Sequence, residues 1–364
     1  MKILLAGGGT LGSVTPLLAL FDYLESRERG RPQFIFVGTP SGPERQAVET
    51  ANIPFFVLRA AKLDRFFSWR LFLSPLIYFW SHLAAAAVIF RLKPDVLVSA
   101  GSYVAAPLAR MARFARVPSV LLQMDLRRGL ANRMMARTAA AIAVSLPEAG
   151  KGLVPKKIVV TGIPVRSAVI KVLERRAELT TAAMTRFKID EKAPTVLIIG
   201  GGTGAAQINR LVSSSASELA AAANVIHITG AGKEAAETDN VRYKSYELLT
   251  AEELSEAYAV SDLIVSRAGM GAIAELAVVQ TAFVLIPMPD SPQEENAAFF
   301  HARAGIPVLG KQTTAEQFCE TILGYLRHPT SWPGSIEKMR VLLPANAAAR
   351  FAAVVMQAAE NRGA

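Results

Sequence analysis

The sequence predicts an α/β protein with two Rossmann-like, parallel-sheet domains that face each other across a cleft. Two glycine-rich loops carry this prediction: Gly7–Ser13 follows the apolar run Lys2–Ala6, and Gly200–Gly204 follows the apolar run Thr195–Ile199. Each loop opens a stretch that is typical of a helix. A strand, a glycine turn and a helix in that order present backbone N–H groups and a positive helix end to a phosphate.

Apolar runs that alternate with helical patterns predict the strands in order. In the first half they are Lys2–Ala6, Gln33–Val37, Asp95–Ala100, Ser119–Gln123, Ala141–Ser145 and Lys157–Thr161. In the second half they are Thr195–Ile199, Val225–Thr229, Asp262–Ser266 and Ala282–Met288. Strands separated by helices imply right-handed crossovers and parallel sheets that are covered on both faces.

The length also favours two domains. A chain of 364 residues is too long for one ordinary core and suits two domains of about 150–200 residues each. Gly162-Ile163-Pro164 ends the last strand of the first half, so we predict domains at 1–164 and 165–364 with a hinge at about 162–168. The Ala-rich tail at about 344–364 predicts a terminal helix that can pack back on the first domain.

Composition limits the classes of partner. A net charge of +10 predicts attraction to anionic partners such as phosphates and anionic lipids. The basic residues form no block with interleaved aromatics, so we expect no nucleic acid partner. Cys319 is the only cysteine, the four histidines lack ligand spacing, and the sequence contains no Asp-x-Asp pair. We therefore expect neither a metal site nor a cofactor.

One segment breaks the alternating pattern. Leu71–Phe90 contains twenty residues without a formally charged side chain, between Arg70 and Arg91, and aromatic residues are dense around it. Three interpretations remain open: a buried helix, a helix docked in the membrane interface, and a true membrane span.

The two glycine loops exclude some nucleotide chemistries. Gly7, Gly9 and Gly12 satisfy G-x-G-x-x-G, but the second strand ends at Gly38-Thr39-Pro40 without the carboxylate that would hold a dinucleotide ribose. NAD or FAD binding is therefore disfavoured, and glycines required only for packing are the alternative. The second loop lacks the lysine of a Walker A motif, which argues against ATP hydrolysis.

A third glycine-containing segment, Ser266–Leu276, follows a predicted strand and places Glu275 in the next helix. A carboxylate there can accept hydrogen bonds from both hydroxyls of a ribose, whereas the alternative is a solvated helix residue. Downstream, Gln293 lies in a polar stretch after the strand Ala282–Met288 and can contact sugar hydroxyls through its donor and acceptor atoms.

Taken in order, these motifs resemble the MurG family of GT-B glycosyltransferases. Members of that family transfer N-acetylglucosamine from UDP to undecaprenyl-pyrophosphoryl-N-acetylmuramoyl-pentapeptide (lipid I), which gives lipid II in peptidoglycan synthesis. The resemblance covers nearly the whole chain. It is carried by residues 7–16, 38–44, 93–96, 101–104, 129–132, 162–166, 200–204, 267–275 and 293–297.

The resemblance implies a donor site in the second domain. Glu275 would hold the UDP ribose, Leu249 would flank the uracil through its backbone, and Gln293 would contact the sugar. Arg166 would neutralise charge on the diphosphate. The remaining expected donor contacts are Thr10, Leu11, Gly12, Asp125, Gly202, Met270, Gly271, Ala272, Ile273 and Ala274.

The resemblance also implies an acceptor site and a membrane-docking surface in the first domain. The expected acceptor contacts are Gly9, Thr10, Gly12, Ser13, Tyr103 and Asn132. The expected docking residues are Arg65, Phe66, Phe67, Trp69, Arg70, Phe72, Phe79 and Trp80. The implied partners are UDP-N-acetylglucosamine, a polyprenyl-pyrophosphate-linked acceptor and an anionic membrane surface, with the protein peripheral on the cytoplasmic face of the plasma membrane.

This chain departs from the family at the predicted catalytic positions. Ser13 stands where the family has histidine, Leu11 where it has glycine, and Leu122–Asp125 where it has His-Glu-Gln-Asn. Serine has no useful pKa near neutrality, so we hypothesise that Asp125 supplies the general base. The alternative is that Asp125 caps a turn. A related transferase with another glycolipid acceptor, or a non-catalytic binding protein, remains possible on these departures.

Overall fold

The computed structural model describes residues 1–27, 32–60, 70–201, 205–328 and 333–362, with the backbone alone for 70–78 and 333. The chain forms two compact units. The first consists of Met1–Arg166 with Asn346–Ala364, and the second of Ser167–Ala345. Each unit has a parallel sheet, which confirms the predicted α/β fold class.

In the described residues, the first part of the chain has seven strands and five α-helices. The strands are β1 (Lys2–Ala6), β2 (Gln33–Gly38), β3 (Phe55–Val57), β4 (Val96–Ser99), β5 (Ser119–Gln123), β6 (Ala141–Val144) and β7 (Ile158–Val160). The helices are α1 (Thr15–Glu25), α2 (Glu44–Thr50), α3 (Arg70–Leu92), α4 (Ala105–Phe114) and α5 (Leu130–Thr138). The strand order in the sheet is β3-β2-β1-β4-β5-β6-β7.

The second unit has the sheet order β10-β9-β8-β11-β12. Its strands are β8 (Thr195–Ile199), β9 (Asn224–Ile228), β10 (Tyr243–Tyr246), β11 (Leu263–Ser266) and β12 (Ala282–Leu285). Its helices are α6 (Ser167–Glu174), α7 (Arg176–Phe187), α8 (Ala206–Ala222), α9 (Ala251–Val260), α10 (Met270–Val279), α11 (Pro292–Ala304), α12 (Ala315–Arg327) and α13 (Pro333–Leu342). The last helix, α14 (Ala347–Glu360), belongs to the first unit.

The two units repeat the same construction at the centre of their sheets. In the first, the N–H of Lys2 donates to Oδ2 of Asp95 at 2.7 Å, and in the second, the N–H of Thr195 donates to Oδ2 of Asp262 at 2.8 Å. These bonds tie β1 to the residue before β4, and β8 to the residue before β11. The strand order reverses between β1 and β4 and between β8 and β11. Open α/β sheets form ligand crevices at such reversals, at the carboxyl ends of the strands.

Burial on both faces explains why the strands are near-continuous apolar runs. Ile3, Leu4 and Leu5 of β1 are fully buried, because helices cover both faces of a parallel sheet. Helix α14 packs against α1 and the strands β4, β5 and β6, and its Phe351 and Val355 are fully buried. Beyond this helix, the Arg362 guanidinium donates to Oδ1 of Asp95 at 3.3 Å.

The structure contains two strands that the sequence pattern did not predict, β3 and β10. Each is the edge strand at one end of its sheet. Strand β3 has only three residues, and β10 reads Tyr-Lys-Ser-Tyr with mixed polarity. Strand β3 reads Phe-Phe-Val and is shorter than the runs of four to eight residues that predict a strand, and the mixed polarity of β10 gives no apolar run, so neither segment matched the strand pattern.

Helix α3 shows which side of the aromatic segment is buried. Ser81, Ala85 and Ile89 are buried, and α3 packs against α4. The opposite face exposes large apolar side chains: Phe79, Trp80, Leu83 and Phe90 are 57%, 61%, 46% and 62% exposed. The alternative of a wholly buried helix is therefore wrong for residues 79–92.

Among the described residues, the stretch Gly334–Glu360 is long and apolar enough to cross a membrane, with a mean hydropathy of 1.4. The helix is interrupted within this stretch, between α13 and α14. Since α14 buries its apolar side chains in the first unit, its composition is that of a core helix.

His227 predicts a pH dependence of stability. It is fully buried on β9, with Nδ1 at 2.8 Å from the Tyr243 hydroxyl, and burial lowers the pKa of His227 to about 4. The pKa is about 6.5 in an unfolded chain, so the unfolded state binds more protons between these values. We expect the free energy of unfolding to fall as the pH drops through this window, by about 2 kcal/mol between pH 7.5 and 5.

Urea unfolding at the two pH values measures this effect. His227→Gln should lose the part of the pH dependence that the histidine contributes. His328→Gln, at an exposed histidine in the same unit, is the matched control. An equal pH dependence in the wild-type protein and in His227→Gln would contradict the assignment.

Candidate active site

The first glycine loop is held in a backbone conformation that favours glycine. Gly8 and Gly9 have φ values of +147° and +83°. A Cβ atom on Gly8 would overlap the Glu44 carboxylate. A short 3-10 turn, Leu11–Ser13, leads from the loop into α1. Thr10 and Gly12 are exposed there, so the loop presents its outer side to solvent.

The Glu44 side chain holds the first glycine loop in place. Its carboxylate is fully buried and accepts hydrogen bonds from the N–H of Thr39 at 2.7 Å, from the N–H of Gly9 at 3.2 Å and from the Thr39 hydroxyl. One side chain at the start of α2 therefore joins the ends of β1 and β2. Glu44 belongs to a family-like motif in the sequence, but the motif alone predicts no role for it. Its position after Gly38-Thr39 at a helix start is the signal that could have indicated one.

The loop after β4 also contacts the first glycine loop. The Ser102 hydroxyl donates to the Gly8 carbonyl at 3.0 Å. The Tyr103 ring lies 3.3 Å from where a Cβ on Gly9 would stand. Burial raises the pKa of the Tyr103 phenol, and the Glu44 carboxylate raises it further, so Tyr103 stays a neutral donor at physiological pH. The structure thus brings the predicted acceptor residues Gly9 and Tyr103 together.

Two amide side chains connect the β4 and β5 loops. Nδ2 of Asn132 donates to Oε1 of Gln123 at 2.8 Å, and Nε2 of Gln123 donates to the Asp125 carbonyl at 2.6 Å. Oδ1 of Asn132 lies 2.7 Å from where a Cβ on Gly101 would stand. These contacts fix the backbone at Asp125, which is half-buried two residues after the end of β5.

Ser13 lies on the same carboxyl edge as Asp125. Its hydroxyl donates to the Thr10 carbonyl at 3.4 Å. In the sheet, β4 separates the strand before Ser13 from the strand before Asp125. The shared edge is observed, whereas the catalytic roles of both residues remain predictions.

In the second unit, α10 begins at the carboxyl end of β11, at the place where the strand order reverses. Gly269 is its N-cap, and no side chain in the described structure caps this first turn. The first N–H groups of a helix lack partners within the helix, so the amides of Met270, Gly271 and Ala272 are oriented to bind an anion. Ile273 and Ala274 are buried behind them. Gly202, the predicted donor contact in the preceding loop, lies outside the described residues.

Glu275 is buried, with 7% of its surface exposed. The Tyr258 hydroxyl donates to its Oε2 at 3.0 Å. The alternative of a solvated helix residue is therefore wrong. A carboxylate that is kept from water one turn into α10 is available for directed hydrogen bonds, as a ribose-binding group requires.

Arg267 and Gln293 shape the surroundings of α10. Nη1 of Arg267 donates to the carbonyls of Ile286 and Pro287 at 3.1 and 3.0 Å, which ties the β11 loop to the end of β12. Burial lowers the pKa of Arg267. Oε1 of Gln293 accepts from the N–H of Met288 at 2.9 Å. Its amide nitrogen lies 3.8 Å from where a Cβ on Gly269 would stand, beside the start of α10.

The remaining predicted donor residues lie in two places. Leu249 is half-buried directly before Thr250, whose side chain and Glu253 form a capping box on α9. Arg166 is half-buried at the end of the first unit. The donor contacts of Arg166, and those predicted for Thr10, Leu11, Gly12 and Asp125 of the first unit, remain predictions.

A cavity of about 610 Å³ lies at the opposite edge of the second sheet. It is lined by the residues that lead into β8, by the first residues of β11 and β12 with those before them, and by Tyr325 and Leu326. Open α/β sheets bind ligands at the carboxyl ends of their strands, so we place the candidate site at α10. In the described residues, no three or more His, Cys, Asp or Glu side chains are grouped so that they could hold a metal ion.

The contacts of Glu44 predict a large effect of its replacement. Glu44→Gln keeps the shape but turns one acceptor oxygen into a donor that faces other donors. We expect the free energy of unfolding to fall by about 2–4 kcal/mol, because buried N–H groups lose their partner. Urea unfolding followed by circular dichroism measures it.

Glu49→Gln is the matched control on the same helix. The Glu49 carboxylate is exposed and pairs only at the surface with Arg45, at 2.8 Å. If the two variants lost the same stability, the loop-fixing role of Glu44 would be wrong.

Two family models match the chain. Residues 3–144 match the glycosyltransferase family 28 N-terminal domain, and residues 195–349 match the glycosyltransferase family 28 C-terminal domain. A UDP-N-acetylglucosamine--N-acetylmuramyl-(pentapeptide) pyrophosphoryl-undecaprenol N-acetylglucosamine transferase of Bacillus cereus is 34% identical over 288 residues, 79% of each chain. The Clostridium novyi protein of the same name is 33% identical over 79% of this chain and 78% of its own length.

Solved structures share the fold. The structure of Acinetobacter baumannii MurG has a TM-score of 0.69 at 20% identity and covers 98% of this chain and 99% of its own. A UDP-GlcNAc 2-epimerase from Neisseria meningitidis, solved with UDP-GlcNAc bound, has a TM-score of 0.67 at 14% identity and covers 98% of this chain and 100% of its own. These solved structures show the fold, and the sequence matches show the family. The chain belongs to glycosyltransferase family 28 and, within it, to the MurG family.

Proposed function

We propose that this protein transfers N-acetylglucosamine from UDP-N-acetylglucosamine to the lipid-linked N-acetylmuramoyl-pentapeptide lipid I, which yields lipid II for peptidoglycan synthesis. The names of its relatives supply the reaction. The observation in this structure that supports it most is Glu275, a buried carboxylate one turn behind the uncapped start of α10.

The donor is bound through these two features. The N–H groups of Met270, Gly271 and Ala272, with the positive end of α10, bind the diphosphate. Glu275 accepts hydrogen bonds from the ribose hydroxyls. Leu249 flanks the uracil and Gln293 contacts the sugar.

The reaction is an inverting single displacement. A hydroxyl of N-acetylmuramic acid attacks the anomeric carbon of N-acetylglucosamine, the bond to the diphosphate oxygen breaks, and a general base takes the hydroxyl proton. Backbone amides, the helix end and Arg166 stabilise the negative charge on the leaving UDP. Asp125 is the proposed base, because its backbone is fixed by Gln123 and Asn132 on the carboxyl edge that also carries Ser13.

The acceptor reaches the site from a membrane surface. The exposed face of α3 carries Phe79, Trp80, Leu83 and Phe90, and the neighbouring helix α4 exposes Phe114, which is 70% exposed. Among the side chains described on these two helices, the arginines Arg91, Arg110 and Arg113 are exposed. Exposed apolar and arginine side chains on neighbouring helices suit the interface of an anionic bilayer, so we propose peripheral binding at the cytoplasmic face of the plasma membrane.

The docking surface that the sequence predicted is described only in part. Arg65, Phe66, Phe67 and Trp69 lie outside the described residues. Arg70 and Phe72 lie in α3, where the backbone alone is described.

Replacement of Glu275 tests the donor site. We expect Glu275→Ala to raise the Kd for UDP at least about tenfold, because it removes charge-assisted hydrogen bonds to the ribose. Isothermal titration calorimetry measures the Kd. Glu316→Gln, at an exposed carboxylate on α12, is the control and should bind UDP like the wild type. Undiminished UDP binding by Glu275→Ala would exclude the ribose contact.

Replacement of Asp125 tests the catalytic base. We expect Asp125→Asn to lower kcat about 100-fold or more, because a general base contributes about 10²–10⁴ to the rate. Transfer of radiolabel from UDP-N-acetylglucosamine to lipid I in detergent measures turnover, and Glu148→Gln is the control at an exposed residue of the same unit. Full turnover by Asp125→Asn would rule out this base.

The same assay separates the remaining alternatives. The loop residues that depart from the family, Leu11, Ser13 and Asp125, are on the acceptor side, which favours a different glycolipid acceptor as the second candidate. If lipid I gave no product and another polyprenyl-linked acceptor did, that candidate would replace the first. UDP binding without turnover on any acceptor would indicate a non-catalytic binding protein.

A further inference from the structure

A buried hydrogen bond joins α9 to the proposed ribose-binding carboxylate. The Tyr258 hydroxyl donates to Oε2 of Glu275 at 3.0 Å. Tyr258 is 2% exposed and Glu275 is 7% exposed. With so little access for water, solvent competes weakly for either group, and the bond is stronger than the same bond at a surface.

A carboxylate needs such a partner if it is to bind a ribose selectively. The last side-chain torsion of glutamate is broad, so the plane of an unrestrained carboxylate rotates freely. A donor on Oε2 fixes that plane, and a carboxylate has enough lone pairs to accept further hydrogen bonds. The Tyr258 bond therefore sets the direction in which Glu275 accepts hydrogen bonds from a ligand.

Helix α9 is itself firmly held. The Ser255 hydroxyl donates to the Ala168 carbonyl at 2.9 Å, and Nε of Arg186 donates to Oε2 of Glu256 at 2.5 Å. These bonds attach α9 to α6 and α7, against which it packs. The position of the Tyr258 hydroxyl is fixed because its helix is fixed.

The same helix begins at Ala251, two residues after Leu249, with Thr250 as its N-cap. Long side chains on a helix lean toward its N-terminus, so the Tyr258 ring leans toward the end of α9 that is nearer to Leu249 in the chain. The proposed uracil contact thus immediately precedes the N-cap of the helix that carries the partner of Glu275.

We propose that Tyr258 is a positioning residue for the donor: it orients the Glu275 carboxylate toward the ribose diol and so makes binding selective for ribose over deoxyribose. Tyr258 itself does not touch the nucleotide. This inference rests on the proposed donor site.

Tyr258→Phe tests it, because the variant keeps the ring and removes only the hydroxyl. We expect the Kd for UDP to rise about five- to tenfold, and the Kd for 2′-deoxy-UDP to change by less than about twofold, measured by calorimetry. The preference for UDP over 2′-deoxy-UDP should fall accordingly. In the transfer assay, KM for the donor should rise while kcat stays near the wild-type value.

A double-mutant cycle separates positioning from folding. In a Glu275→Ala background, Tyr258→Phe should change the Kd for UDP by less than about twofold, since the group that it positions is gone. Tyr243→Phe is the matched control, because it also removes a buried tyrosine hydroxyl from this unit, one that bonds to His227 at 2.8 Å. It should leave the Kd for UDP unchanged even if it lowers the melting temperature.

Two results overturn the proposal. One is an unchanged Kd for UDP in Tyr258→Phe. The other is an equal loss of UDP affinity in the wild-type and Glu275→Ala backgrounds, which would mean that the tyrosine acts through the fold. Failure of the donor site itself is distinguishable, because Glu275→Ala alone would then leave the Kd for UDP unchanged.

Discussion

The proposed chemistry depends on backbone N–H groups that lack partners within their own helix, at the carboxyl edge of a parallel sheet. Such groups are costly to bury and are satisfied by an anion. In the second unit the uncapped first turn of α10 supplies them, beside the strand-order reversal between β8 and β11. In the proposed donor site, the neighbouring side chains orient the rest of the ligand around that anion.

The two units use a buried carboxylate in opposite ways. In the first unit Glu44 points inward and takes up N–H groups of the chain itself, including that of Gly9. This stabilises the loop but uses an amide that would otherwise be available to a ligand. In the second unit Glu275 receives a bond from Tyr258 and is placed beside amides that remain for a ligand. The same residue type therefore stiffens the glycine loop of the first unit and, in the second unit, lies behind the start of α10 as the proposed ribose-binding group.

Much of the fold was predictable because its signals are local. Strands such as β1 and β8 are apolar runs followed by glycines, and both sheets bury them on two faces. The edge strands β3 and β10 were missed because β3 has only three residues and β10 mixes polar and aromatic residues. The place of Glu275 after a glycine segment led to its predicted ribose contact, which stays a prediction, and the structure adds that its carboxylate is buried.

The contacts that orient the site were not predictable in the same way. Gly9 and Glu44 are 35 residues apart, and Tyr258 and Glu275 are 17 residues apart. No period in the sequence links such pairs, because the approach of two helices or two loops depends on the packed sheet between them. For the same reason, the sequence did not predict which face of α3 is exposed. Hydropathy alone does not say which side of the helix packs against α4.

Amide hydrogen exchange in the presence of UDP tests the central claim most directly. At saturating UDP, exchange of the N–H groups of Met270, Gly271 and Ala272 should slow well below its rate in saturating uridine, which lacks the diphosphate. Equal exchange rates at these three amides with UDP and with uridine would contradict the account, because the diphosphate would then be bound elsewhere.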